Sequence, residues 1–358
     1  MAPARGLPQQ AIQQRGTGPQ IFGDEHPRRA GDDTRVLYQL SVNDPRRTGP
    51  PAGDAPAGGW FRDPLNPRRH LVIRADPERP RSADLAFSAL ELPAAPPQPY
   101  VRRRPGVPAG TVAVHRLASG VLGNERRVWL YTPPGYDPSG PPYPLLPVFD
   151  GKEYVDLLPT PTILDNLVAE GRIPPTVAVF PDSLGWGVRT RELPCAPPFL
   201  AFLEQELLPW VGGAAHVSDD PARRVVAGSS LGGLAAAYVG LERPDLFGNV
   251  LSRTGAFGWA PGDAEPAWLT RQYAVRPRAE LRFYLDVGVY ETEQPPDGGP
   301  SQLTANRHVR DVLRAKGYPV TYREHSGGHD FFNLQGTLAD GLQVLLAPPV
   351  AVAQVPAR

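Results

Sequence analysis

One junction constrains the fold more than any other feature of the chain. The apolar run RRVVAG (223–228) passes through Ser229-Ser230 directly into LGGLAAAYVGLERP (231–244). The first run has the length and β-branched content of a buried strand, and the second is a small-residue helix ended by Pro244. A strand that feeds a helix with no intervening loop is half of a βα unit. The surrounding sequence repeats the pattern: LLPVFDG (145–151), TVAVFPD (176–182), LRFYLDVG (281–288) and PVTYREHS (319–326) read as strands. TILDNLVAEG (162–171), PFLAFLEQELLPWV (198–211) and TANRHVRDVLRAKG (304–317) read as helices. Ahead of them, TVAVHRLASGVLGNERRVWLYTPPGY, from residue 111, reads as two strands joined by a Gly-Asn turn. The alternation predicts an α/β fold with a mainly parallel central sheet flanked by helices, and places any site at the carboxyl ends of the strands.

Gly228-Ser229-Ser230-Leu231-Gly232 gives that junction a chemistry. Only Ser230 has glycine two positions away on both sides, the G-x-S-x-G spacing of a nucleophile on a sharp strand-to-helix turn. Side chains at the flanking positions would collide there. The turn also directs the N–H of Leu231, at the helix N-terminus, towards a developing oxyanion. The predicted fold is therefore an α/β-hydrolase, with Ser230 as nucleophile.

A serine hydroxyl needs a base, and in this fold the order along the chain is Ser, acid, His. His308, His325 and His329 follow Ser230 with room for an acid between. His308 falls inside a predicted helix and His325 at a strand end. His329 follows Gly327-Gly328 in a loop past the last strand, and is the expected base. Asp286, Glu291, Glu293 and Asp297 are candidates for the acid that orients it. Glu291 is favoured, three residues beyond the strand-ending Gly288; a Ser-His dyad without an acid is the alternative. For the second oxyanion donor, Asp150-Gly151-Lys152 ends an earlier strand, and the N–H of Gly151 or Lys152 is the candidate. Arg189 and Arg191 lie past TVAVFPD, on the same edge of the sheet. They suit an anionic or phenolate-rich substrate, or simply a surface salt-bridge loop.

Bulk properties narrow the partners. The 37 basic and 37 acidic residues cancel, so no nucleic-acid partner is expected. Cys195 is the single cysteine, which excludes an internal disulfide and a cysteine-based zinc site; no metal or organic cofactor is expected. MAPARGLPQQAIQQRG has no apolar segment of signal-peptide length, and no run approaches a membrane span. The expectation is a cytoplasmic protein with no membrane partner. Residues 1–33 are polar, rich in Gln, Arg and Gly, and read as disordered. VLYQLSV (36–42) alternates loosely as a strand does. The Pro- and Gly-dense stretch after it reads as loop, and 89–110 as an extended connector. The catalytic domain is expected over 111–358.

Several ordered stretches together resemble the enterochelin (enterobactin) esterases. They are DPLNP (63–67), SALELP (88–93), RRVWLY (126–131), FDGKEY (149–154), RTRELPC (189–195), VVAGSSLGGLAAAY (225–238), FGNVLSRTG (247–255), GVYE (288–291) and GGHD (327–330). The resemblance implies a serine esterase in which Ser230, His329 and Glu291 are catalytic and the Gly151-Lys152 loop completes the oxyanion hole. It implies that Arg189 or Arg191 contacts a catecholate. The implied substrate is a catecholate siderophore trilactone, ferric or iron-free, with the iron as part of the substrate. Opening the trilactone would weaken the iron cage, because three catecholates on one scaffold hold iron more tightly than separate ones. Those esterases carry a full N-terminal β-sandwich domain, whereas here about sixty residues precede DPLNP. Residues 34–110 are therefore expected to be a short, truncated remnant of that domain plus a linker. The same triad also suits a general carboxylesterase, a feruloyl-type esterase, or a non-catalytic siderophore-binding protein.

Overall fold

The computed structural model describes residues 30–41, 60–78, 83–295 and 298–347. The reading of residues 1–33 as disordered thus falls almost wholly outside the described residues, and so does Asp297. The described chain divides into two compact units. One takes the chain up to Pro97 together with Gly288–Glu291 and Glu324–Leu334; the other takes the remainder.

In the first unit, β1 (Arg35–Tyr38), β4 (Arg69–Ile73) and β5 (Leu85–Glu91) form an antiparallel sheet in the order β1-β5-β4. A short pair, β2 (Leu40–Ser41) with β3 (Trp60–Phe61), accompanies it. The strand β4 begins at the end of the Pro- and Gly-dense stretch that reads as loop, and β5 ends inside the segment that reads as a connector. LAFSALE nevertheless alternates enough to bury Phe87 and Ala89 against Leu37 in a small core of its own.

The second unit begins with the hairpin β6 (Thr111–Ser119) and β7 (Asn124–Thr132), followed by β8 (Leu145–Pro147) and β9 (Val177–Pro181). These strands pair in the order β6-β7-β9-β8, with β8 and β9 parallel. Then come β10 (Val225–Ser229), β11 (Asn249–Arg253), β12 (Arg282–Gly288) and β13 (Val320–His325), paired in chain order. Parallel bridges Leu145↔Arg224 and Val148↔Ala227 join β8 to β10, so the two sets form one mixed sheet. Every residue of β8, β9, β10 and β11 is buried, as expected of strands covered on both faces.

The helices are α1 (Gly151–Asp156), α2 (Thr160–Ala169), α3 (Trp186–Glu192), α4 (Pro197–Phe202), α5 (Leu208–Ala214), α6 (Leu231–Glu242), α7 (Trp268–Val275), α8 (Gln302–Ala315) and α9 (Phe331–Leu346). A mixed sheet flanked by helices is the α/β-hydrolase arrangement expected from the sequence. Among the described residues, no helix is long and apolar enough to cross a membrane.

Three local differences from the sequence reading have physical causes. Residues 198–211 are not one regular helix, because a π-helical turn (Leu203–Leu207) separates α4 from α5. Pro209 lacks an N–H and crowds the preceding turn, and widening the helix there accommodates both defects. Arg189-Thr190-Arg191-Glu192 is helix rather than loop. Gly151 opens α1 rather than a simple turn, with Asp150 in the left-handed region at φ 62°.

Candidate active site

Ser230 sits between β10 and α6 with φ 57° and ψ −122°, a region that non-glycine residues avoid. The surroundings hold it there. Its N–H donates to the Arg253 carbonyl at 3.0 Å, and its own carbonyl accepts from Leu234 and Ala256, each at 3.0 Å. Gly228 is required by closeness: a Cβ there would lie 2.4 Å from the Gly232 carbonyl carbon and oxygen. The Ser230 side chain makes no capping bond to α6, and the residue is half-buried. Its hydroxyl is thus not committed to holding the helix, and Leu231 provides the first N–H of α6.

In the same unit, Asp150 is a heavily bonded carboxylate close to the elbow, 3.1 Å from where a Cβ on Gly232 would lie. It accepts from Arg189 Nε and Nη2, each at 2.8 Å, and from Ser183 Oγ at 2.6 Å. Arg189 Nη2 also lies 3.4 Å from the Ser229 carbonyl oxygen. Burial alone would lower the guanidinium pKa, but the Asp150 charge and hydrogen bonds outweigh it and raise the value. Arg189 therefore spans the Asp150 loop and the strand that leads into Ser230. Arg191, two residues on, is exposed. The Lys152 ammonium pairs with Asp156 at 3.0 Å, leaving its backbone N–H, with that of Gly151, in the first turn of α1.

Glu291 and His329 belong to the first unit, and the structure brings them together. Glu291 Oε2 is 2.7 Å from His329 Nδ1. The other carboxylate oxygen accepts the Gly288 N–H at 2.8 Å, so the tight turn after β12 orients the carboxylate. Glu291 is buried while His329 remains half-exposed. The remaining candidates are elsewhere: His308 is exposed on α8, His325 ends β13, Glu293 is exposed, and Asp286 is fully buried with Arg253 at 3.5 Å.

Two carboxyls near these groups escaped the sequence reading. Asp330 is buried and accepts from the Asn333 N–H at 2.9 Å and from Asn333 Nδ2 at 3.2 Å. Burial, and secondarily the Glu291 charge, pushes its pKa up to about 7. Glu153, in α1, is likewise pushed up to about 7, by burial first and then by the charge of Asp150. Only their side-chain surroundings distinguish these two from ordinary acidic residues, and no local pattern announces that. Cys195 is buried, which pushes its thiol pKa up and leaves it a packing residue. Among the described residues, no group of three or more His, Cys, Asp or Glu side chains is arranged to hold a metal ion.

Comparison with known proteins follows the same residues. The Esterase family model matches residues 119–345. The chain is 35% identical over 293 residues to the iron(III) enterobactin esterase of Dickeya dadantii (strain 3937), with 76% of this chain and 65% of that protein covered. It is also 35% identical to the iron(III) enterobactin esterase of Escherichia coli (strain K12), covering 74% of this chain and 64% of the relative. The chain thus spans slightly less than two thirds of the length of these relatives. Among solved structures, it is similar to the enterobactin esterase FES from Shigella flexneri, crystallised in the presence of enterobactin. That match has a TM-score of 0.66 and 33% identity, over 80% of this chain and 69% of the other. A ferulic acid esterase from Anaeromyces mucronatus shares the fold, with a TM-score of 0.57 at 21% identity over 70% of this chain and 96% of the other.

Proposed function

Since the chain belongs to the Esterase family, we propose that it is a serine esterase that hydrolyses the ester bonds of a catecholate siderophore in the cytoplasm and thereby releases the iron it carries. The observation that carries the chemistry is the 2.7 Å contact between Glu291 and His329, a carboxylate-imidazole pair of the kind that prepares a histidine to act as a base. The substrate class rests on the likeness to enterobactin esterases over more than seven-tenths of this chain.

In the proposed reaction, His329 Nε2 takes the hydroxyl proton as Ser230 Oγ attacks the ester carbonyl carbon. Glu291 holds the imidazole through Nδ1–H and stabilises the imidazolium. The N–H groups of Leu231 and of Gly151 or Lys152 receive the oxyanion. The alcohol leaves with the proton from His329, and water then cleaves the acyl-serine with the same base. No cofactor is needed. For the substrate, we assign the catecholate contact to Arg191, which is exposed. Arg189 is already engaged in both directions by Asp150, and acts on the site by holding that loop. The likeness to a ferulic acid esterase is one of fold and carries no substrate.

The test compares purified wild type with Ser230→Ala on a ferric catecholate trilactone, a feruloyl ester and a short-chain aryl ester. The expected result is rapid trilactone cleavage that falls by several orders of magnitude in the variant. Turnover of the feruloyl or aryl ester alone would keep the serine chemistry and remove the siderophore. Binding of the trilactone without turnover would make the chain a siderophore-binding protein.

A further inference from the structure

The acid and base loops are bonded to each other and to the N-terminal strand. Val289 N–H donates to the His325 carbonyl at 2.9 Å, and Tyr290 N–H to that of Gly327 at 3.1 Å. On the other side, Arg35 N–H donates to the Ser326 carbonyl at 2.9 Å, and Asn333 Nδ2 to the Arg35 carbonyl at 2.6 Å. Just before β1, Asp33 accepts from Ser326 Oγ at 2.8 Å, and Thr34 Oγ1 is 2.7 Å from the Tyr290 hydroxyl. Tyr290 directly precedes Glu291. The base loop is thus held at Ser326, before His329, and at Asn333, after it, by one residue of β1.

Packing supports the same reading. Phe332, three residues past His329, lies against the small core of Leu37, Phe87 and Ala89. The Arg35 guanidinium sits 5.4 Å from its ring centroid, and the His70 ring of β4 is at 5.1 Å. Arg35 itself is fixed by Glu91 and by the Pro96 carbonyl at 2.8 Å. The loop needs such an anchor. Gly327-Gly328 gives it more backbone freedom to lose than any other dipeptide. At Gly327 the fit is close: a Cβ would lie 2.2 Å from Asn333 Nδ2 and 2.8 Å from the Arg35 carbonyl oxygen.

We propose that β1 is a clamp that positions the Glu291–His329 pair, with Asn333 as the positioning residue that ties the histidine loop to it and Phe332 as its apolar anchor. In this reading the N-terminal segment serves catalysis through the loop that carries the base. This rests on the catalytic reading of His329 given above. Asn333 contacts no reacting atom; its contribution is the register of an imidazole that must sit within a few tenths of an ångström of its working position.

The test uses the full chain as wild type, Asn333→Ala, Phe332→Ala, Phe332→Leu and His329→Ala. Four quantities are read: kcat and KM on an aryl ester, the low-field NMR resonance of the His329 Nδ1 proton, and the melting temperature. His329→Ala assigns the resonance by removing it. The expected result for Asn333→Ala and Phe332→Ala is a kcat lower by about 100-fold with KM unchanged. The resonance should broaden, and Phe332→Leu should recover most of both. Full kcat and an intact resonance in Asn333→Ala would overturn the clamp. So would a loss of activity that follows the melting temperature while the resonance of the folded fraction stays sharp. If wild type has no esterase activity, or His329→Ala keeps it, the serine-esterase reading fails instead. The clamp is then judged on the resonance alone.

Discussion

Arg189 and Asp150 form a two-pronged ion pair, Nε to Oδ1 and Nη2 to Oδ2, each 2.8 Å. The pair fixes a left-handed aspartate immediately before the loop assigned to the oxyanion. A planar guanidinium meets a carboxylate this way, and a lysine cannot. Arg189→Lys is therefore expected to lower kcat on any ester, with little change in KM. Arg189→Ala should in addition destabilise the protein by about 3 kcal/mol, since it leaves a buried carboxylate without its cation. Steady-state kinetics on a catecholate and a plain aryl ester check this. A KM raised for the catecholate alone would return Arg189 to the role of a substrate contact.

Glu291 and Asp286 are five positions apart but have different partners, His329 for the first and Arg253 for the second. Asp286 is buried with Arg253, and the two stand opposite each other in the β11–β12 register. Asp286→Asn is expected to cost about 3–5 kcal/mol of stability by stranding a buried cation, while the folded fraction keeps its activity. Glu291→Gln should do the reverse, with near-normal stability and a kcat lower by ~10²–10⁴. Urea unfolding and kinetics on both variants decide it. Equal kinetic loss in both, at equal folded fraction, would remove the distinction.

What could be read from the sequence follows the range of the interactions. The elbow at Ser230 is local: strand, turn and helix are contiguous, and the glycines that permit it lie within two residues. Chain order and loop position point to Glu291 and His329, and the structure has them 2.7 Å apart. The pairing of Asp150 with Arg189 joins residues 39 apart and was not legible. The apolar residues of β4 and β5 gain meaning only once Phe332 packs against the small core that Phe87 and Ala89 form with Leu37. Arg253 gave no signal either, because a fully buried arginine is indistinguishable in sequence from a surface one.

Asp330 makes stability depend on pH in an unusual direction. Its carboxyl titrates at about 7 in the fold, above the ordinary aspartate value, because burial and then the Glu291 charge disfavour its ionised form. Between about pH 4 and pH 7 the folded chain holds a proton that the unfolded chain has released. The associated stability is full below about pH 4 and is lost as the pH rises through about 7. Urea midpoints from pH 5 to 8 should therefore fall more in wild type than in Asp330→Asn, where this contribution is absent. Parallel curves for the two proteins would show that Asp330 does not titrate in that range.

The elbow itself gives the last prediction. A methyl group at Gly228 would meet the Gly232 carbonyl carbon and oxygen at 2.4 Å. Both are backbone atoms at the start of α6, so no rotamer change can relieve the contact. Either the strand or the first turn of the helix must move, and Ser230 lies between them with a backbone already held at φ 57°. Gly228→Ala is expected to cost about 3 kcal/mol, the upper end for overpacking. It should also slow labelling of Ser230 by a fluorophosphonate at temperatures where the protein is fully folded. The two readouts separate two causes. Loss of stability with normal labelling would mean that the elbow survives and the strain is taken up elsewhere. Loss of labelling in a folded protein would mean that the close approach of Gly228 to Gly232 is what aims the Ser230 hydroxyl.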